Sequence, residues 1–392
     1  MRRLSSIRGF VLFSLLGMTL RTARALVTLN DGTDKFFVSG SFTMGYDSNI
    51  SASATNTSDF AYSTNMAIEY QRRAGLIGVN ANMAFALNNF VKNPSYDTLN
   101  PSYSVEFDKG TGRLTGALTL GAQRSSQADA AVNLYTTAWN YSAGLNLHYP
   151  VIERYSFSLS LDYGLLDYTE TSGQPLVNLS TYSAALSFFY ILTEQRDLFL
   201  TYRYRFQQSS ASTSTADDGL GLGVNGRIIW QINGSLSFGY DLRTPQGIDS
   251  ETGLADHGRY NDFWVIGQAN WAANRKLSFA GSVSRDFSTT ATNATTDTTS
   301  GTLDATYAFT ARKSLNAGIA GGMNQFLGVF GYIPGTTNDR TDYYFTWHVT
   351  ANYTWNSHLS LSLNYNNFTN WSNLSFATFK RHGVSLSANT HW

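Results

Sequence analysis

The stretch Tyr155–Tyr163, YSFSLSLDY, alternates apolar and polar residues without a break. Successive side chains of a β-strand point to opposite faces, so this stretch predicts a strand with one apolar and one polar face. The same alternation recurs in Leu198–Gln207 and Leu359–Asn366. Such runs are longer than the usual globular strand of about 5 or 6 residues. The chain is therefore predicted to be an all-β protein of long, two-faced strands.

The alternation continues to the last residue. In Ser385–Trp392, SLSANTHW, the residues Leu386, Ala388 and Trp392 share one parity with Val384. Chain termini usually fray unless they are tied down. We expect the last strand to be paired along its whole length.

Short junctions and longer polar stretches alternate along the chain. The short junctions are predicted near Arg72–Gly75, Asp108–Gly112, Pro150–Arg154, Glu194–Arg196, Asn233–Gly234, Asn274–Lys276, Arg312–Ser314 and Asn356–His358. The polar stretches start near Ser51, Asn88, Ser125, Thr169, Ser209, Thr244, Ser288, Gly328 and Thr369. The short junctions recur about every 40 residues, so the repeating unit is a hairpin.

This organisation is typical of a bacterial outer-membrane barrel, with short periplasmic turns, long outer loops and an even number of strands. Nine loops between paired strands predict a transmembrane antiparallel up-and-down β-barrel of about 18 strands, from Lys35 to Trp392. A lipid-exposed sheet edge would leave backbone groups unpaired, at several kcal/mol each, so the last strand should pair with the first. The parity is interrupted near Leu165–Leu166 and at Gly383, which leaves the count open by two strands.

The first 25 residues have the order of a cleavable signal peptide. Arg2, Arg3 and Arg8 precede the apolar run Gly9–Leu20, and Ala23–Ala25 provides a small-x-small site. The alternative, a membrane anchor, needs about 20 apolar residues. We therefore expect a signal peptide at 1–25, a short periplasmic segment at 26–34 and a barrel at 35–392.

Composition excludes several classes of protein. The signal segment holds five of the 27 Lys and Arg residues and none of the 27 acids, which leaves 22 basic against 27 acidic residues. A nucleic-acid partner would call for a basic surface. The chain has no cysteine, so disulfides and thiolate metal sites are excluded. Only 14% of residues are charged, whereas soluble domains average about 25%.

The segment Gly40–Ile50, GSFTMGYDSNI, ends the first predicted strand. It resembles the start of the β-barrel porin family of Gram-negative outer membranes, whose members often open with a G-Y-D-S-N segment. A similar segment also occurs in barrels that accompany exopolysaccharide secretion. The C-terminal GVSLSANTHW resembles the signal that outer-membrane proteins present to their insertion machinery, with Trp392 in place of the commoner Phe. The resemblance implies no catalytic residues.

Aromatic residues of the apolar parity lie near strand ends, as in the interfacial girdles of membrane barrels. Those near the long loops are Tyr46, Tyr62, Trp139, Tyr182, Tyr204, Tyr240 and Tyr343. Those near short junctions or the terminus are Tyr70, Tyr149, Tyr155, Trp230, Trp355 and Trp392. The alternative, a soluble β protein with an aromatic core, does not sort aromatics to strand ends.

The polar parity then lines the lumen, and eighteen strands leave an aqueous channel. The candidate pore-lining residues are Arg203, Arg205, Arg227, Arg243, Asp47, Glu69, Glu106 and Asp162. The four arginines are predicted at similar depth on adjacent strands, with Asp47, Glu69 and Glu106 on the opposite side. This arrangement predicts a transverse field that favours anions near the arginines. The alternative is that the arginines pair with Asp241 or with an infolded acidic loop and only stiffen the wall.

Catalytic motifs are weak. GLGVNG, Gly221–Gly226, satisfies G-x-G-x-x-G, but it continues into a strand, so Gly221 and Gly223 are interpreted as small lumen positions. The six histidines show no metal-ligand spacing, and no Ser-His pair is singled out. His148, His348, Asp162 and Asp304 are interpreted as solvated wall groups. We expect that the protein is not an enzyme and that it binds no cofactor and no metal ion.

The sequence predicts a bacterial outer-membrane porin through which small hydrophilic solutes diffuse passively. Its expected partners are outer-membrane lipids and lipopolysaccharide, the insertion machinery and the solutes, with no nucleic acid and with a homo-oligomer left open. The alternatives are a barrel for exopolysaccharide export and a structural or adhesive barrel whose lumen is plugged by the loops at Thr244 or Gly328.

Overall fold

The computed structural model describes residues 26–392 except 171–175, 230, 249, 251, 252, 254, 256, 257 and 328–339. The predicted signal peptide, Trp230, His257 and most of the loop from Gly328 lie outside the described residues. The described chain contains nineteen strands and three 3-10 turns at Asn30–Gly32, Pro94–Tyr96 and Ser375–Ala377. None of its helices has the length and apolar character needed to cross a bilayer.

The strands occur in chain order. They are β1 (Val27–Leu29), β2 (Asp34–Asp47), β3 (Asp59–Arg72), β4 (Gly78–Phe90), β5 (Thr98–Lys109), β6 (Thr115–Asp129), β7 (Leu134–Ile152), β8 (Tyr155–Glu170), β9 (Leu179–Thr193), β10 (Arg196–Ser209), β11 (Thr213–Ile229), β12 (Ile232–Gly247), β13 (Tyr260–Ala272), β14 (Leu277–Thr289), β15 (Thr295–Thr310), β16 (Lys313–Leu327), β17 (Thr341–Thr354), β18 (Leu359–Ser372) and β19 (Phe379–His391).

Strands β2 to β19 form a closed antiparallel barrel of eighteen strands, as the sequence predicted. Each strand pairs with its neighbour in sequence, and β19 returns to pair with β2 from Gly383↔Asp47 to His391↔Ser39. Trp392 completes this ladder, because its N–H donates to the Val38 carbonyl at 2.8 Å and its carbonyl accepts from the Val38 N–H at 2.9 Å. Closure satisfies the backbone groups that a free edge would expose to lipid.

The segment before the barrel is short and paired. β1 adds to the start of β2 in the register Val27↔Phe36, beside the part of β2 that β19 does not reach. The barrel itself begins at Asp34, one residue before the predicted start.

The G-Y-D-S-N segment fastens the closing seam between β2 and β19. The Arg381 guanidinium contacts the Asp47 carboxylate at 2.5 Å. Ser48 and His382 exchange two hydrogen bonds, from the Ser48 N–H to the His382 carbonyl at 3.0 Å and from the His382 N–H to Ser48 Oγ at 2.8 Å. Asn49 is fully buried, and its amide donates to the Lys380 carbonyl at 3.3 Å. The segment therefore holds β2 and β19 together at the loop end of their ladder.

The outer surface of the barrel is apolar. On β3, for example, Phe60, Tyr62, Met66 and Ile68 share one parity and are exposed. The same is true of the other strands, whose exposed apolar residues include Leu118, Leu120, Leu186, Leu200, Leu220, Phe238, Phe263, Ile319, Leu363 and Leu386. A continuous apolar exterior on a closed barrel is the surface of a protein that spans a membrane.

The aromatic residues expected at the strand ends lie on this exterior. Near the loops, Tyr62, Tyr182, Tyr204, Tyr240 and Tyr343 are exposed. At the opposite end of the barrel, exposed aromatic residues are Tyr149, Tyr155, Trp355 and Trp392. The terminal Trp392 ring stacks on His358 with a centroid distance of 4.0 Å.

Three predicted loops are shorter than expected, because the strands run on through them. β6 extends to Asp129, β11 starts at Thr213, and β14 and β15 leave only residues 290–294 unpaired. Threonine, which is frequent in these stretches, is favoured in strands, and a strand that extends beyond the hydrocarbon region needs no apolar face. The loss of apolar alternation therefore marks the edge of the membrane and not the end of the strand.

The two predicted breaks of parity do not occur at the predicted residues, although the β7–β8 ladder shifts register at Thr169, opposite Thr137 and Ala138. Leu165 and Leu166 stay in register with Tyr141 and Asn140, and Gly383 stays in register with both Asn366 and Asp47. Leu166 faces inward, where it packs against a buried apolar cluster of Val177, Leu179 and Ala211. The inward-facing Leu166 was therefore misinterpreted as a break in the alternation.

Candidate functional site

The inner wall of the barrel is polar over most of its height. The inward-facing parity carries hydroxyl and amide side chains, such as Asn82 on β4, Ser104 on β5 and Asn146 on β7. Between β5 and β9 this wall forms a recess of about 490 Å³, whose lining includes Asp108, Asn146, His148, Ser158 and Ser187. Eighteen strands make the barrel too wide for such side chains to fill, which leaves an aqueous lumen.

The upper end of the β14–β15 hairpin folds into this lumen. β14 stops pairing with β13 at Arg285↔Val265, although β13 continues to Tyr260. Beyond that point residues 286–297 are mostly buried and contact side chains of β10, β11 and β12. Because β10 is four strands away around the wall, these contacts are made across the inner side of the barrel. We call residues 286–297 the infolded hairpin.

An arginine–aspartate network holds the infolded hairpin to the wall. It consists of Arg203, Arg205, Arg243, Asp217, Asp241 and Asp286. The strand register creates it, since Arg205, Asp217 and Arg243 lie opposite one another on β10, β11 and β12. One step along, Arg203 and Asp241 flank Gly219, and the missing side chain at Gly219 lets the two charges meet.

Asp217 is shared by two arginines. Its carboxylate accepts from Arg205 Nε at 2.6 Å and from Arg243 Nε and Nη2 at 2.7 and 2.9 Å. Arg243 is fully buried. Buried charges are stable only when they are paired and hydrogen-bonded, so this carboxylate makes the burial of two guanidinium groups possible.

The remaining contacts reach the hairpin itself. Asp286 accepts from Arg203 Nη2 at 2.7 Å and from Arg205 Nη1 at 3.3 Å. Arg205 and Arg243 also donate to the backbone carbonyls of Phe287 and Ser288, each at 2.8 Å. At the hairpin tip, the Ala291 carbonyl accepts from the Val177 N–H at 2.8 Å. The hairpin is thus anchored at its base and at its tip.

The G-x-G-x-x-G segment has a packing role. A side chain at Gly221 or Gly239 would overlap the ring of Trp264, which is buried and lies against this part of the wall. A side chain at Gly223 would overlap the ring of Phe199. The Arg203 guanidinium stacks over Trp264 at 4.3 Å from the ring centroid. Small residues here let aromatic rings lie flat on the inner wall, as the interpretation of Gly221 and Gly223 anticipated.

Arg227 does not belong to the network. Ile229 pairs with Ile232, and Asn233 and Gly234 also belong to the ladder, so Arg227 sits at the end of β11. The register shifts between Arg227 and Ile229, next to Gly226 with φ +99°, and the Arg227 side chain is exposed. The expectation that Arg227 lies level with the other three arginines is wrong, because the turn was placed too far along the chain.

The acidic candidates do not form one group either. Asp47 pairs with Arg381 at the loop end of the seam. Glu69 and Glu106 lie near the tight-turn ends of β3 and β5, and Asp162 lies on β8. The arginines are neutralised by aspartates of their own wall and of the infolded hairpin. The structure therefore contradicts the predicted transverse field. It supports the alternative, in which the arginines form structural ion pairs that include Asp241.

Asp304 and His348 were expected to be solvated, but Asp304 is buried and the two side chains meet. His348 Nε2 lies 3.3 Å from Asp304 Oδ1 and 2.7 Å from Asn316 Oδ1. Gly318, between them in the ladder, leaves room for this contact. Within the described ranges no group of three or more His, Cys, Asp or Glu residues could hold a metal ion.

Other infolded segments narrow the mouth on the loop side. Arg340, which precedes β17, donates to the Ala131 carbonyl at 2.7 Å, in the turn between β6 and β7. Asn133 of that turn donates to the Ala52 carbonyl of the β2–β3 loop at 3.2 Å. These strands lie far apart around the barrel, so the connections meet over the lumen.

Sequence reasoning missed three important residues, Asp217, Trp264 and Arg381, and it placed Asp286 on the barrel wall and not on an infolded hairpin. A sequence signal existed for Asp217, which lies on the inward parity of β11, but the Ser/Thr-rich stretch around it was interpreted as a loop. Asp286 lies on a hairpin that leaves the wall, and no local pattern indicates this. Its partners are about 80 residues away along the chain.

Comparison with solved structures shows the fold. The structure of OpdK from Pseudomonas aeruginosa with vanillate matches with a TM-score of 0.50 and 10% identity, over 91% of this chain and 99% of that chain. A second structure of OpdK, described as an outer membrane protein, matches with a TM-score of 0.49 and 11% identity over 91% and 99%. OccAB4 from Acinetobacter baumannii matches with a TM-score of 0.49 and 9% identity over 92% and 98%. No family model matches the sequence, and no curated protein does.

Proposed function

We propose that this protein is an outer-membrane porin through which small hydrophilic solutes diffuse passively. The observation that carries the proposal is the pairing of an apolar exterior with a polar inner wall in a closed barrel of eighteen strands. Its fold is that of OpdK, and a barrel of this width leaves a water-filled lumen. Passive diffusion needs no bound cofactor and no catalytic group, and transport rather than chemistry is the role proposed for the lumen.

The infolded hairpin is the proposed constriction of this pore. Its residues cover the wall formed by β10, β11 and β12 and are held there by two anchors. Loops folded into a wide barrel narrow the path and thereby limit the size of solutes. The width of the open path should therefore depend on this hairpin.

Single-channel recording in planar lipid tests both statements. The variant to compare joins Phe287 to Asp297, which are directly paired, through an Asn-Gly turn in place of residues 288–296. We expect discrete channels from the parent and a larger unitary conductance from the trimmed variant. A matched control, Thr292→Ala at the hairpin tip, should conduct like the parent.

Two outcomes would overturn the proposal. If neither the parent nor the trimmed variant forms channels, the barrel is not a conduit, and a structural or adhesive role with functional loops becomes the better explanation. If the trimmed variant conducts no more than the parent, the hairpin is not the constriction.

We further propose that the chain belongs with the β-barrel porins that open with a G-Y-D-S-N segment. What supports this is the role of the segment, since Asp47, Ser48 and Asn49 each bond to β19 at the seam. Three consecutive residues that bond the first barrel strand to the last one could stabilise the closure of any barrel in which these two strands pair. The segment therefore supports kinship in barrel assembly and does not identify the solute.

Trp392 is proposed to be read by the machinery that inserts barrels into the outer membrane. Its ring is half exposed on the outer face, and its backbone is part of the closing ladder. Before the barrel closes, the same strand has one unpaired edge and an exposed apolar end.

A further inference from the structure

The charges on the inner wall are unequally compensated. In the arginine–aspartate network three arginines face three aspartates. Arg381 pairs with Asp47 and Arg340 with Asp342, while Arg285 contacts both Asp262 and Asp297. Each of these arginines is therefore neutralised by at least one carboxylate, whereas Arg227, exposed at the tight-turn end of β11, forms no ion pair with the described residues.

Three of the predicted pore-lining carboxylates, on the other side of the barrel, lack such a partner in the described part of the chain, as does Asp108 at the tight-turn end of β5. Glu69, Glu106 and Asp162 lie on the inward parity of β3, β5 and β8, and none forms an ion pair with a basic residue among those that the structure describes. Glu69 is hydrogen-bonded by Gln71 at 2.6 Å and Asp162 by Ser160 at 3.0 Å, so their contacts are with neutral groups.

The ladder neighbours of these carboxylates are also neutral. Glu69 lies opposite Asn82, Glu106 lies between Asn80 and Thr119, and Asp162 lies between Gly144 and Ser183. The three acids are spread over an arc of the wall and do not converge on one point. They form a stretch of uncompensated negative charge along the path of a solute and not a binding site.

We infer that this pore prefers cations to anions, and cationic to anionic hydrophilic solutes. The inference rests on the proposed porin function and names the class of solute that passes. Uncompensated carboxylates on the low-dielectric wall of an aqueous path raise the local concentration of cations and lower that of anions. Paired arginines contribute no comparable field, because their charge is cancelled within a few ångströms.

The reversal potential in a KCl gradient across a planar bilayer gives the sign of the preference. For the parent we expect a K⁺ permeability several times that of Cl⁻. In the triple variant Glu69→Gln, Glu106→Gln, Asp162→Asn the ratio should fall by roughly twofold or more towards unity. Raising the ionic strength should also lower the permeability ratio of the parent, since the Debye length shortens from about 10 Å at 0.1 M to about 3 Å at 1 M.

The control removes the same number of negative charges away from the lumen wall. In Glu153→Gln, Glu194→Gln, Asp218→Asn, two changes lie in tight turns and the third on the outward parity of β11. This variant should keep the parent ratio.

Several results would overturn the inference. Channels that prefer Cl⁻, or that show no preference, contradict it directly from the parent alone, even if the triple variant fails to assemble. An unchanged ratio in an assembled triple variant assigns the preference to other groups. A parent that forms no channels overturns the porin function itself, which distinguishes the failure of the pore from the failure of its selectivity.

Discussion

Asp217 is the residue on which the arginine–aspartate network most depends, because of the two aspartates shared by two arginines it is the one that contacts the fully buried Arg243. Removing one partner of a buried ion pair leaves an uncompensated charge, which costs about 3–5 kcal/mol. The next residue, Asp218, has the same chemistry but points outward, where it accepts from the Tyr202 hydroxyl at 2.7 Å. The two aspartates therefore form a matched pair for an experiment.

We expect Asp217→Asn to lower the free energy of unfolding by about 3–5 kcal/mol, because Arg205 and Arg243 lose their shared counter-charge. Asp218→Asn should change it by less than about 1 kcal/mol, since an exposed hydrogen bond contributes little. Urea unfolding of the barrel in lipid vesicles, followed by tryptophan fluorescence, measures both. Equal stabilities of the two variants would show that the network does not hold the hairpin.

At the scale of single residues, sequence parity placed Arg203, Arg205 and Arg243 correctly on the inner face. Sequence reasoning also named Asp241 as a possible ion-pair partner of these arginines. It misplaced Arg227, because an Asn-Gly pair inside the ladder looked like a turn. Parity states which face a side chain is on, but it does not state which neighbours it meets.

The last strand shows what an element adds to its residues. β19 is paired on both sides, to β18 and to β2, only after the barrel has closed. Before closure its edge and its terminal aromatic ring are exposed together. This is the form in which insertion machinery would meet it.

We expect Trp392→Ala to reduce the amount of assembled barrel in the outer membrane of expressing cells several-fold, because the terminal aromatic is the group that we propose the insertion machinery reads. Trp355→Ala is the control, since Trp355 is likewise an exposed tryptophan at the same end of the barrel. The amount of detergent-extracted, urea-resistant barrel in membrane fractions measures the effect.

Refolding from urea into detergent separates recognition from stability. Both variants should refold in this assay, because it needs no insertion machinery. If Trp392→Ala fails to refold, or if Trp355→Ala lowers assembly as strongly, Trp392 acts through packing and not as a signal.

At the scale of elements, the strands were predicted with their number and order. Their upper ends were not, as β11 and the β14–β15 hairpin show. The alternation that indicates a strand is imposed by the difference between lipid and water. Above the membrane both faces are wet, and the alternation disappears although the ladder continues.

The whole molecule is defined by two surfaces that meet different solvents. Trp264 and Trp271 lie on the same strand, β13, but only Trp271 is on the outer face, with 39% of its surface exposed against 2% for Trp264. A tryptophan that contacts acyl chains is accessible to quenchers within them, whereas one that faces the lumen is screened by the wall.

We expect lipids with brominated acyl chains to quench the fluorescence of a protein that retains only Trp271 strongly, and that of a protein that retains only Trp264 weakly. The other seven tryptophans are replaced by phenylalanine in each. Iodide in the aqueous phase reports independently on exposure to water. Strong quenching of Trp264 by brominated chains would reverse the two faces and contradict the barrel described here.

By itself the sequence determined the class of fold, the number of strands to within two and which parity of each strand meets lipid. These follow from a local rule, because each strand crosses the boundary between water and hydrocarbon and must alternate there. Only the tertiary structure decided that a hairpin turns into the lumen and that the arginines are neutralised by Asp217 and Asp286. It also decided which carboxylates remain unpaired. Such pairings depend on register and on contacts across the lumen, and a strand's own residues carry no record of what lies opposite them.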